Sequence, residues 1–162
     1  MMEEVSRQLA LLNQNDKLLD ELYHHYAPGV NLSATALWIL YIAWIQGDGC
    51  TQKDICEAWS YTKQTINSAL KNLEKQGYIR LVPLPGNRKS KRLLFTDAGR
   101  AFAQSVVCPL LAAEEAAFGR LEEEERIALV ALSQKRTALL QQEMEKAMTA
   151  MNTGQKENPH EF

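Results

Sequence analysis

The sequence predicts a mainly α-helical chain with one small β-hairpin, an α+β class. Two observations predict it, and a third, the placement of charge, bears on function. Apolar residues recur near helical spacing in a series of stretches. One pair of β-prone runs flanks a Pro- and Gly-rich turn. Basic charge is concentrated in the middle of the chain, around that pair. A length of 162 residues suffices for one domain with a real core, and a content of 46% hydrophobic and 23% charged residues marks a globular chain.

The first helix is expected over Val5 to Tyr26, from Leu9, Leu12, Leu18, Leu19, Leu22 and Tyr26, with Pro28-Gly29 ending it. Ser33 can cap the next, Ala34 to Gln46, which is apolar on most sides and so central. After a Gly47-Asp48-Gly49 turn, Thr51-Gln52-Lys53-Asp54 resembles a capping box with Asp in place of Glu, opening a short helix to about Trp59. Ser60 or Thr62 can cap the following helix, which Gly77 stops after Gln76. Tyr78 to Val82 and Lys91 to Phe95 read as strands around a Pro83-Leu84-Pro85-Gly86-Asn87 turn. Thr96 caps a long helix in which Pro109 predicts a kink, and Leu121 to Glu125 opens a last helix reaching about Met151.

A short helix, a tight turn, a second helix and a hairpin make a winged helix-turn-helix, here over residues 30–97. Residues 1–29 and 98–151 form helical dimerisation arms, and residues 152–162 a polar, disordered tail. The last two helices carry more apolar surface than a small wing can cover, which predicts a homodimer.

Charge indicates the function class. From Lys53 to Arg92 there are nine basic and three acidic residues, an excess of six, within a chain of net −2. A basic middle in an acidic frame suits a module that grips a polyanion, here double-stranded DNA. On the helix Thr62 to Gln76, Ile66, Leu70 and Leu73 form a packing stripe. Gln64, Asn67, Ser68 and Lys71 form a second stripe without an acid, suited to base edges in a major groove. Thr62 and Lys63 sit at the helix start, where free N–H groups favour a phosphate. Asn87 to Arg92 holds four cations in six residues, so Arg88, Lys89 and Lys91 are expected on phosphates.

Leu73-Glu74-Lys75-Gln76-Gly77-Tyr78-Ile79-Arg80 resembles the end of the recognition helix in MarR-type (multiple antibiotic resistance) regulators. Asn87 through Gly99 is similar to their wing, second strand and following helix cap, and Gly119 through Glu125 to the turn between their last two helices. The resemblance implies a homodimeric transcriptional regulator whose terminal helices interlock, controlled by a small, often phenolic or lipophilic effector between two lobes. Three positions depart from the pattern: Asn87 and Lys89 stand where an Asp and a groove-entering Arg are usual, and Ser68 where Arg is frequent.

Other constellations are less pointed. Tyr23, Tyr26, Trp38, Tyr41 and Trp44 can line an aromatic effector pocket or simply fill the core. His24-His25 point about 100° apart on a helix, and no CxxC exists, so neither a metal nor any other cofactor is expected. Cys50, Cys56 and Cys108 suggest reduced thiols rather than a disulfide framework. No catalytic motif stands out, so an enzyme is not expected. No uninterrupted apolar run reaches membrane length, Ala34 to Ile45 being the best, and the acidic N-terminus is unlike a signal peptide, so a cytoplasmic location is expected. Two alternatives stay open: a winged-helix module that docks an acidic protein, and a metal- or thiol-sensing regulator.

Overall fold

The computed structural model describes residues 2–47, 49–59 and 62–156. Its order is α1 (Met2–Gly29), α2 (Ala34–Gln46), α3 (Gln52–Trp59), α4 (Lys63–Lys75), β1 (Ile79–Leu84), β2 (Asn87–Phe95), α5 (Asp97–Phe118) and α6 (Glu123–Lys156). This is the expected mainly helical α+β class. The chain divides inside α5 into two compact units, Met1–Ala112 and Ala113–Phe162.

In the first unit α2 is the centre. Ser33 Oγ accepts from Ala36 N, starting the helix. Ala36, Leu37, Trp38, Ile39, Leu40, Ile42 and Ala43 are all buried. A helix apolar all round gains most by lying inside. Around it close Ile55 of α3, Ile66, Leu70 and Leu73 of α4, Ile79, Leu93 and Phe95 of the hairpin, and Ala103, Val106 and Val107 of α5. The Tyr26 hydroxyl donates to the Val106 carbonyl at 2.7 Å, tying α1 to α5, and burial raises its pKa.

The α3 box forms as read. Thr51 N and Oγ1 both donate to Asp54 Oδ2 (2.8 and 2.7 Å), and Asp54 N donates back to Thr51 Oγ1 at 3.2 Å. The α4 stop is a Schellman turn: Gly77, at φ +77°, donates to Glu74 O, and Tyr78 N to Leu73 O, both at 3.0 Å.

The hairpin differs from expectation. Pro83, Leu84 and Asn87 belong to strands, and the turn is only Pro85-Gly86, with Gly86 at φ +77°. Ladder pairs run from Ile79↔Phe95 to Pro83↔Lys91, then jump to Leu84↔Asn87. Arg88, Lys89 and Ser90 therefore fall at a register shift, opposite no residue of β1. Pro83 is tolerated in a strand at the sheet edge, where no ladder donor is needed. A third strand-like segment was also missed. Leu93 N donates to Cys50 O at 2.7 Å, and Thr51 bridges Arg92.

Gly99 closes this unit. A Cβ there would meet the Tyr78 carbonyl oxygen at 1.6 Å. Thr96 N donates to that same oxygen at 3.1 Å, and Thr96 Oγ1 accepts from Gly99 N at 2.9 Å. Phe102 stacks on Tyr78 with centroids 4.3 Å apart. α5 is also long and apolar enough to cross a membrane, which a search for unbroken apolar runs misses, because Asp97, Arg100, Glu114 and Glu115 interrupt it. Five of its residues are instead buried. It continues through Pro109 as one element.

In the second unit Glu122 N donates to Glu125 Oε2 at 2.9 Å, opening α6. That helix reaches Lys156, so residues 152–156 are helical rather than part of a tail; residues 157–162 lie outside the described residues.

Gly99→Ala is expected to destabilise the protein by about 3 kcal/mol or more, since backbone must move to admit the methyl. Urea denaturation would check it, and a loss below about 1 kcal/mol would mean that α5 can slide away from Tyr78 freely.

Candidate nucleic-acid interface

α3 and α4 are joined by short-range constraints. Thr62 is the cap of α4, its Oγ1 accepting from Thr65 N at 3.2 Å; Ser60, the other candidate, lies outside the described residues. Gln52 Nε2 donates to Lys63 O at 3.3 Å, bridging α3 to the start of α4. At the other end Glu74 Oε1 accepts from Leu81 N at 3.0 Å, fixing the hairpin to α4.

These ties orient α4. Ile66, Leu70 and Leu73 are at most 1% exposed, turned into the core. Thr62, Lys63, Gln64, Asn67, Ser68 and Lys71 are all exposed. The four stripe residues are thus presented together along one side, as the spacing required. Ser68 is partly spent: its hydroxyl donates to Gln64 O at 3.1 Å, leaving its oxygen lone pairs to meet a partner.

On the wing, Lys91 is exposed. Arg92 is half-buried, and its Nε is buried without a partner among the described residues. The side chains of Arg88 and Lys89 lie outside the described residues. Sequence reasoning missed a cleft of about 510 Å³ whose lining includes Thr51, Gln52, Lys53, Lys63, Ser90 and Lys91. Its signal was available only as the basic count of the region, because α3, α4 and β2 meet through tertiary packing.

The aromatic set splits. Tyr23 and Trp38 lie 4.8 Å apart, and Trp38 and Tyr41 5.3 Å apart, in one cluster where Trp38 is buried. Tyr26 makes the α1–α5 tie described above. Trp44 lines a separate cleft of about 270 Å³ with Ala43, Gly47, Phe95 and Arg100. The Arg100 guanidinium lies 5.7 Å from the Phe95 ring centre.

Cys50, Cys56 and Cys108 are free. Burial, followed by the nearby Asp54 carboxylate, pushes the Cys50 thiol up to about 11, opposite to the thiolate a reactive cysteine needs. Among the described residues no group of three His, Cys, Asp or Glu is placed to hold a metal ion.

Comparison with known proteins gives a consistent set of likenesses. Residues 30–90 match the sequence profile of the MarR family. The chain is 30% identical over 119 residues to the HTH-type transcriptional regulator PecS of Dickeya dadantii (strain 3937), spanning 72% of this chain and 69% of PecS. A MarR family regulator from Neisseria meningitidis shares the fold at a TM-score of 0.75 and 23% identity, over 86% of this chain and 98% of that one. Bordetella bronchiseptica BpsR, whose DNA binding is regulated by 6-hydroxynicotinic acid, does so at 0.63 and 23%, over 79% and 91%.

The Thr51–Asp54 box at the start of α3 is expected to weaken in acid. Hydrogen bonds from the Thr51 backbone and hydroxyl hold the Asp54 carboxyl below its ordinary 3.8. A depressed pKa contributes stability above 3.8 that is lost as pH falls through the folded value. Asp54→Ala is expected to cost about 1 kcal/mol at neutral pH. In urea titrations the gap from wild type should narrow below pH 3.8; a gap independent of pH would mean the carboxylate is not the cap.

Proposed function

The chain belongs to the MarR family of DNA-binding transcriptional regulators, and from that membership we propose that it acts as a homodimer on a pseudo-palindromic operator under the control of a small effector. Its relatives are regulators of transcription rather than enzymes. The observation that carries the proposal is the two-sided character of α4. One side is locked in the core, and the other offers Gln64, Asn67, Ser68 and Lys71 with no acid among them. Gln and Asn can pair with adenine edges, Lys with guanine or phosphate, and the Ser68 oxygen can accept from an exocyclic amine. Thr62, Lys63, Arg88, Lys89 and Lys91 would meet the phosphates on either side.

The second copy follows from exposed apolar surface. Seven large hydrophobic residues on α1 and nine on α6 are more than a third exposed. Val5, Leu9, Leu12, Leu19 and Leu22 recur at helical spacing on α1, and Ile127, Leu140, Met144, Met148 and Met151 stand open on α6. Surface of this extent is rarely left to water. An identical partner offering the same faces covers it with closed symmetry, and sets two α4 helices about one DNA turn, roughly 34–36 Å, apart.

For the effector, Trp44 is the best-placed of the aromatic set. Its cleft has aromatic walls and one guanidinium, which fit a single-ring aromatic acid. The regulation of BpsR by such an acid supports this reading.

Fluorescence anisotropy with the upstream DNA of its own gene, titrated with salt and random competitor, tests the central claim. Asn67→Ala and Lys71→Ala are expected to weaken specific binding by about 1–3 kcal/mol each while leaving random DNA less affected. Equal losses on both DNAs would remove base readout from α4, and no binding at about 50 mM salt would instead favour a module that docks acidic protein. Single-ring aromatic acids added to the same titration should release the duplex, and Trp44→Ala should abolish that release.

Leu22→Glu with Leu140→Glu is expected to give monomers in sedimentation equilibrium, with the near-ultraviolet circular dichroism of the aromatic core retained. Variants that sediment as dimers would rule these helices out as the interface.

A further inference from the structure

We propose that the cleft between the helix-turn-helix and the wing is a phosphate-binding site, built by Lys53 of α3, Lys63 of α4 and Lys91 of β2. The inference rests on the DNA-binding reading for one of its two ligand sources, and adds Lys53, which the pattern of α4 and the wing does not single out.

Four observations support it. The three ammonium-bearing side chains come from three different elements, yet line one concave space of about 510 Å³. No acidic residue is among its described lining residues. Thr51, Gln52 and Ser90 share the wall, so the space is polar as well as cationic. The cleft also reaches the first residue of α4, a thirteen-residue helix. First-turn N–H groups have no intrahelical acceptor, and the Thr62 hydroxyl takes only that of Thr65.

Lys53 has a competing partner, Glu57 Oε1 at 3.5 Å, but both side chains are mostly in solvent, and such a pair holds weakly. A phosphate facing three cations is the stronger attraction. Gln52, by donating to Lys63 O, holds two of the contributing elements in register without entering the charge balance. Phosphate is favoured over a lone carboxylate because several oxygens can be shared among cations on different sides of the space.

The phosphate can come from a duplex backbone or from a free phosphorylated molecule, and one experiment separates them. Isotope-labelled full-length protein is titrated with inorganic pyrophosphate while the backbone amides of Thr51, Lys63 and Ser90 are followed by NMR. In parallel, the salt dependence of duplex binding is measured. Lys53→Gln should weaken the pyrophosphate shifts several-fold and lower the log–log salt slope by about one. Lys53→Arg should restore both, and Lys75→Gln, at the far end of α4, should leave the pyrophosphate response intact. A change in slope without pyrophosphate binding assigns the site to the duplex, and the converse assigns it to a free phosphate. If Lys53→Gln alters neither, the proposal is overturned while DNA binding by α4 stands. If the wild type binds no duplex, the regulator reading fails and the pyrophosphate arm alone decides the cleft.

Discussion

The contact between Gly99 and the Tyr78 carbonyl governs how this protein is put together. It is backbone against backbone, so no side-chain rotamer can relieve it. Around it, Thr96 binds its own helix and the turn that ends α4, and Phe102 stacks on Tyr78. The end of α4, the start of β1 and the start of α5 are therefore one rigid junction. Both candidate DNA-contacting elements, α4 and the wing, hang from it. Their relative placement is set far from the surface that would touch DNA, which leaves that surface free to vary.

The same separation holds for chemistry. Residues that build the helix-turn-helix spend their polar atoms internally: Thr51 with Asp54, Gln52 with Lys63, Thr62 with Thr65, and Glu74 with Leu81. Gln64, Asn67 and Lys71 on the open side of α4 are exposed and make no side-chain hydrogen bond or ion pair among the described residues, with Ser68 between the two groups. Acids near the basic region are thereby occupied. Asp54 and Glu74 serve as backbone acceptors, and Glu57 pairs with Lys53. They keep their negative charge, so the field of the region is that of nine basic residues less these three acids.

Exposure divides the chain again. The first unit has a closed core around α2, whereas α1 and α6 present leucines and methionines to solvent. These exposed apolar faces are what the proposed second copy would cover.

Most helices and their caps were legible in the local sequence. Caps at Ser33, Thr51, Thr62 and Thr96 lay where local hydrogen-bonding groups demanded, because a cap involves residues only three apart. The buried and open sides of α4 were legible for the same reason, since helical periodicity is local. Other features depend on residues distant in the chain. The pairing of Cys50 with Leu93 carries no local pattern. The strand character of Pro83 and Leu84 is set by their partners on β2, which override turn propensity. The dispersal of the five aromatics into a cluster, a tie and a cleft depends on packing around α2. Lys53 joins Lys63 and Lys91 only because three elements converge on one space, and Gly99 is obligatory only because Tyr78, 21 positions earlier, folds back against it.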